Sequence, residues 1–156
     1  MERSLSLAES KQFCTFYVDD ILLGIDVLDV QEVLRYQDFT EVPLAPPEIQ
    51  GLINLRGQII TAINLRSRMN LPPGDDNKKC MNVVTRINNE VVSFLVDSVG
   101  DVLDVDDAHL ESVPSTVAAA TRELVSGVYK LEEKRLLMVL DAVKAANLSD
   151  KKEAAL

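Results

Sequence analysis

Residues 51–69, GLINLRGQIITAINLRSRM, decide the fold class, and the rest of the chain is read outward from them. Ile49, Leu52, Ile53 and Leu55 form a dense apolar run. Asn54-Leu55-Arg56-Gly57 interrupts it, and residues 58–63 resume it with β-branched side chains. Short apolar runs bounded by turn residues are characteristic of strands buried in a sheet or barrel. Gly57 supplies the positive φ that a tight turn needs and is the expected structural turn residue. Arg56 is then a cation at the mouth of a hairpin. Burying an unpaired arginine is costly, so it lies at the surface or against a carboxylate. A plain hairpin with a solvated arginine satisfies the same residues. Residues 65–69 add a short helical turn.

The 156-residue length suits one compact domain, or two small ones sharing an interface. Hydrophobic residues make up 47% of the chain but aromatics only 4%, so aliphatic side chains must build the core. A net charge of −9 repels phosphate backbones, and no basic run or aromatic platform offsets it. Nucleic acid is therefore not expected as a partner. Neither a signal sequence nor a membrane-length apolar run is visible, so a cytoplasmic protein without direct membrane insertion is expected. Cys14 and Cys80 belong to no CxxC or Cys/His cluster and are read as buried, reduced thiols.

Taken in order, residues 1–11 are polar and expected to fray. Residues 12–18 and 21–25 read as a hairpin around Asp19-Asp20. Residues 27–36 (VLDVQEVLRY) change period, with Val27, Val30, Val33 and Leu34 recurring at three and four. That spacing predicts a short amphipathic helix with Asp26 as N-cap. Residues 39–42 read as a short strand and 43–47 (PLAPP) as a rigid extended connector. Residues 71–79 (LPPGDDNKK) mark the clearest boundary. It divides the chain into a first β-barrel subdomain, 12–70, and a second, 79–148, within one domain over 12–148.

Beyond the boundary, residues 81–87 and 90–96 read as a hairpin around Asn88-Asn89. Residues 99–103 form a short apolar piece. Residues 104–114 read as a solvated acidic loop, since they lack the alternating ligands and the glycine of a calcium loop. Residues 115–123 are a small-residue segment of no clear type. Residues 125–131 and 135–140 form a last hairpin, followed by a short helix over 141–148 with Asp141 as N-cap. Residues 149–156 are polar and expected to be disordered.

The two halves echo each other. Gly51-Leu52-Ile53-Asn54-Leu55 resembles Gly127-Val128-Tyr129-Lys130-Leu131, and Ile25-Asp26-Val27-Leu28 resembles Val96-Asp97-Ser98-Val99. Each half reads as hairpin, Asp, connector, hairpin, short helix, which suggests two small barrels side by side. His109 is the only histidine, and no nucleotide-binding, nucleophile-elbow or metalloprotease motif is present. No catalytic residue, metal or cofactor is expected, and the residues read as a binding module.

The blocks GIDVLDVQEVLRY, VPLAPPEIQG and GLINLRGQIITAINLR, in that order, resemble the CheW family of bacterial chemotaxis coupling proteins. The likeness continues through VVSFLVDSVGDVL and the last hairpin, from Phe13 to Leu148. It implies a mostly β fold of two intertwined five-stranded SH3-like barrels with short helices. It further implies a non-enzymatic adaptor that joins chemoreceptor cytoplasmic tips to the regulatory domain of the CheA histidine kinase, and so sits at membrane receptor arrays through its partners. Residues at matching positions are Val30 and Glu32 in the V-Q-E block, Arg56 in NLRG, and Val99 and Val102 on a strand lining the inter-barrel groove. Aliphatic anchors with a charged rim suit a helix laid in a groove. Asn64 stands where the family commonly has Asp, so a carboxylate beside a nearby arginine is missing. Residues 104–116 match no fixed pattern, which leaves the kinase contacts unassigned. The same fold also admits a scaffold for a receptor–kinase pathway other than chemotaxis, and a small β-barrel ligand binder is the reading from a different class.

Overall fold

The computed structural model describes residues 10–74 and 79–148. The expected frayed and disordered ends at 1–9 and 149–156, and positions 75–78 of the expected loop, lie outside the described residues. The first half carries β1 (Ser10–Val18), β2 (Ile21–Asp26), β3 (Val30–Arg35), β4 (Ile49–Leu55), β5 (Gln58–Asn64) and α1 (Leu65–Arg68). The second carries β6 (Met81–Ile87), β7 (Glu90–Val96), β8 (Ser98–Asp106), α2 (Ala119–Arg122), β9 (Val125–Lys130), β10 (Leu136–Leu140) and α3 (Ala142–Ala146). The tight hairpins form where turn residues mark them. Arg56-Gly57 and Asn88-Asn89 all take positive φ, as a two-residue turn between twisted strands requires. Asn64 and Asp141 cap α1 and α3, accepting the N–H of Ser67 and of Lys144.

The strands make two five-stranded sheets, ordered β8-β1-β2-β10-β9 and β3-β6-β7-β5-β4. Exchanging the first five strands for the last five, in sequence order, converts one order into the other. The internal repeat is therefore a repeat of topology. Each half places its first hairpin in one sheet, then sends its third strand and second hairpin to the other. The sheets accordingly do not follow the division into residues 12–70 and 79–148, because each takes strands from both sides of the 71–79 loop. The crossing is visible in two parallel pairings, β2 with β10 and β5 with β7, inside otherwise antiparallel sheets.

Three apolar clusters result. Phe13, Leu22, Tyr129 and Leu137 fill the first sheet's inner side, and Ile53, Ile60 and Val84 fill the second's. The largest cluster lies between them, with Phe16, Leu23 and Ile25 from one sheet meeting Ile63, Val83 and Phe94 from the other. Leu65 and Ala145, on α1 and α3, are buried in the same layer.

Several expectations are corrected. Residues 27–36 are not a helix: a 3-10 turn, Val27–Asp29, leads into β3. The three-and-four spacing overlaps a strand pattern, in which burial alternates from Val30 to Arg35 although a bulge between Val30 and Glu32 turns those two to different faces. Pairing with β6 then supplies the backbone partners that a short isolated helix would lack. Asp26 still caps, accepting the Leu28 N–H at 2.9 Å. Within residues 39–42 only Thr40 pairs, in a single bridge to Leu52. Residues 43–47 turn twice, with Ala45 N–H donating to the Val42 carbonyl and Ile49 N–H to that of Pro46. Pro43 begins the first turn, as its fixed φ favours, and Leu44 follows at φ 64°.

The expected acidic loop, 104–114, starts as strand: β8 runs on to Asp106 because β1 begins at Ser10 and offers it a partner, and a 3-10 turn, Asp107–His109, follows. Lys11 is thus in the sheet and not frayed. Residues 115–123 include α2. Cys14 and Cys80 are half-buried, not fully buried, and are not disulfide-bonded. Burial pushes the Cys14 thiol up, and neighbouring Asp26 adds to that.

Two side-chain systems join the halves. Arg66 on α1 donates from Nε and Nη2 to both carboxylate oxygens of Asp97, at 2.9 and 2.7 Å, and from Nη1 to the Pro72 carbonyl. Asp97 also accepts the Asp19 N–H at 2.7 Å. Burial alone would raise the Asp97 carboxyl, but Arg66 and the Asp19 N–H outweigh it and hold it below the usual range. Arg68 donates to the carbonyls of Ala145, Lys144 and Asn147, capping α3 from the other half.

The repeat also fixes two glycines. Gly51 lies under Thr40, and a Cβ there would come within 2.7 Å of the Thr40 carbonyl oxygen. Gly127 lies under Glu111, where a Cβ would come within 2.9 Å of the Glu111 carbonyl oxygen. Each is next to a residue bridged by the crossing segment, Thr40 to Leu52 and Glu111 to Val128. Gly51→Ala and Gly127→Ala are each expected to lower stability by about 1–3 kcal/mol, since backbone cannot yield to the added methyl. Gly57→Ala, in open space, loses only its backbone preference, about 1 kcal/mol. Urea unfolding of the three variants checks the order. The Asp97 clasp predicts a pH dependence. A depressed folded value makes its contribution complete above about pH 4 and lost as pH falls through the folded value. Asp97→Asn is therefore expected to destabilise at pH 7 and to differ much less from the native chain at pH 3, read by denaturant unfolding at both.

Candidate partner-binding surface

Arg56 occupies the first position of the β4–β5 turn, at φ 51°, followed by Gly57 at φ 87°. Leu55 pairs with Gln58 across the turn, and the Asn54 side chain accepts the Gly57 N–H at 2.9 Å. The Arg56 guanidinium forms an ion pair with Glu32 on β3. These two residues come from opposite edges of the sheet ordered β3-β6-β7-β5-β4, so the sheet curls until its edge strands approach. Leu34 of β3 and Leu55 of β4 accordingly pack on the same buried cluster as Ile53, Ile60 and Val84. The arginine side chain is 68% exposed and that of Glu32 23%. Exposed pairs contribute roughly 0.2–1 kcal/mol, so the core closes the barrel and the pair rides on it. The cation is held, but most of its N–H donors stay open to solvent. Of the two sequence alternatives for Arg56, it is both at the surface and against a carboxylate.

The three valines divide. Val30 pairs with Thr85 and packs, half-buried, on the shared core. A bulge between Val30 and Glu32 separates their directions. Val99 and Val102 lie on β8, an edge strand, 37% and 53% exposed. Residues three apart on a regular strand face opposite ways. Here Val99 opposes Phe16 and Val102 opposes Cys14, because a bulge lies between those pairs. Both valines are thereby turned to the face on which Phe16 enters the shared core. The structure thus joins Glu32 to Arg56, sets Val30 at the fringe of the shared core, and places Val99 and Val102 on the other sheet.

Two contacts at this surface are not evident from the sequence reading. Asn54 was read only as part of an interruption, although an Asn preceding a glycine turn is a signal for a side-chain-to-backbone bond. Glu32 was read as a rim charge with no stated partner.

A cavity of about 380 Å³ lies between the sheets, with Asp26, Asp29, Asp107 and Asp141 facing Lys11 and Arg86. Three of its carboxylates already serve the fold. Asp26 caps the 3-10 turn and Asp141 caps α3, and Asp107 meets Lys11 and the Tyr129 hydroxyl. Burial, with Asp26 nearby, raises the Asp29 carboxyl; burial, with Asp107 nearby, raises Tyr129. His109 is an exposed side chain 3.9 Å from Asp106. Among the described residues no group of His, Cys, Asp or Glu is arranged to hold a metal, and no helix is long and apolar enough to cross a membrane.

The CheW-like domain family model matches residues 12–149. Chemotaxis protein CheW of Bacillus subtilis (strain 168) is 32% identical over 132 residues, covering 85% of this chain and 84% of its own. Chemotaxis protein CheW of Rhizobium meliloti (strain 1021) is 27% identical over 134 residues, covering 85% and 86%. The crystal structure of scaffolding protein TtCheW from Thermoanaerobacter tengcongensis matches with a TM-score of 0.74 at 27% identity, covering 83% of each chain. The two curled five-stranded sheets are thus the SH3-like pair of that fold, and the chain belongs to the CheW-like domain family of chemotaxis scaffolds.

Proposed function

We propose that this chain is a non-enzymatic adaptor, in the cytoplasm, that couples chemoreceptor cytoplasmic tips to the regulatory domain of the CheA histidine kinase. The observation that carries the reading is the Arg56–Glu32 pair, in which a half-buried carboxylate orients a mostly exposed guanidinium that the core does not need. Arg56, with Glu32 behind it, sets the register of one contact. Val99 and Val102 supply exposed aliphatic anchors on an edge strand, and Val30 adds a half-buried one at the fringe of the shared core. A receptor tip is a helical hairpin, and a helix face needs such anchors with a charged rim. The chain reaches the membrane through these partners and not by insertion.

Co-sedimentation with receptor-bearing membranes, with and without the kinase, tests the reading. Saturable binding that rises with the kinase, together with receptor-dependent kinase stimulation, is the expected result. No binding to receptors or to the kinase regulatory domain would refute coupling while leaving the fold in place. At residue level, Arg56→Ala is expected to keep the native circular dichroism and to weaken one partner contact by about tenfold, as a lost charged hydrogen bond does. Titration and circular dichroism on the same sample check both halves of that statement. Loss of fold would make Arg56 structural, and unchanged binding would remove it from the surface.

A further inference from the structure

We infer that Asn54 is a positioning residue for Arg56, a role that rests on the reading of Arg56 as a partner contact. Asn54 has an exposed side chain near the end of β4, and its Oδ1 accepts the Gly57 N–H at 2.9 Å. That bond closes a ring over the turn whose backbone carries Arg56. The turn needs such a restraint. Arg56 lies at φ 51°, in the left-handed region that suits Gly, Asn and Asp and that a long side chain enters at a cost. Side-chain bonds from Asn to a backbone N–H further along are a standard way to hold such turns.

Arg56 is consequently fixed at both ends, its backbone by Asn54 and its guanidinium by Glu32. A side chain ordered in advance loses less freedom on binding, so a partner meets a cation already aimed. Nothing in the core depends on Asn54. The hairpin is registered from Gly51↔Ala62 to Leu55↔Gln58, and β5 is paired to β7. Removing the Asn54 side chain therefore leaves the barrel and loosens the turn.

The test is a double-mutant cycle on the full chain. Binding is titrated to a purified receptor signalling-tip fragment and, separately, to the kinase regulatory domain, with circular dichroism and thermal unfolding on every sample. Asn54→Ala is expected to weaken about fivefold the same contact that Arg56→Ala weakens, with the fold retained. Asn54→Asp keeps the acceptor and is expected to bind within about twofold of the native chain. In an Arg56→Ala background, Asn54→Ala is expected to add nothing, because residues acting through one another are not additive. An equal loss in both backgrounds would show Asn54 acting alone and overturn the positioning role. Unchanged binding by Asn54→Ala, with Arg56→Ala still harmful, would also overturn it and leave the reading of Arg56 standing. If Arg56→Ala itself changes neither contact, the underlying reading has failed and the positioning role fails with it.

Discussion

The buried layer in which Phe16 and Leu23 meet Val83 and Phe94 is where the two sheets depend on each other. Neither half of the chain completes a sheet. Each contributes a hairpin to one and a third strand plus a hairpin to the other, so each sheet's edges and centre come from distant parts of the sequence. Apolar burial is proportional to the area removed from water, and the largest share of it here requires both sheets together. A half-chain would leave Phe16 or Phe94 facing solvent. The pair of barrels is therefore one folding unit, and the halves lock along four pairings, the antiparallel β1–β8 and β3–β6 and the parallel β2–β10 and β5–β7.

That arrangement also decides which sheet edges are covered. The sheet edges at β4 and β9 are partly covered by the Thr40 and Glu111 bridges. The edges at β3 and β8 carry bulges, and those bulges decide which way Val30, Glu32, Val99 and Val102 point. A scaffold works by presenting residues from a backbone that does not move. Here β3 and β8 are each pinned by one pairing, with β6 and β1, and the bulge in that pairing sets the direction of these side chains. The Arg66–Asp97 clasp and the Arg68 cap stiffen the same frame from the side of the helices.

Hairpins were legible because their signals are local. Arg56-Gly57 and Asn88-Asn89 specify their turns without reference to the rest of the chain, and the strands follow at period two. The topological repeat was legible as well, since Gly51 and Gly127 mark equivalent crossings. What failed was non-local. Residues 27–36 satisfy a helical and a strand period at once, and only the presence of β6 beside them decides. The extension of β8 through Asp106 depends on β1, nearly a hundred residues earlier. The same reason explains the surface. Arg56 was recognisable as a turn cation, but Glu32 becomes its partner only when the sheet curls, which no spacing in the sequence records.

The three arginines within residues 51–69 show why environment and not residue type selects the contact. Arg66 spends Nε, Nη1 and Nη2 on Asp97 and the Pro72 carbonyl. Arg68 spends Nε and Nη2 on the last carbonyls of α3. Both hold the halves together, and neither has the exposure to serve a partner as well. Asn64, where the resemblance leads one to expect a carboxylate, leaves no cation stranded. It caps α1 and donates to Gln50, while Asp97 and Asp19 neutralise Arg66. Arg56 alone of the three meets its carboxylate through a single Nη2 contact and remains mostly exposed. A guanidinium carries five N–H donors, so four of them remain outside the contact with Glu32.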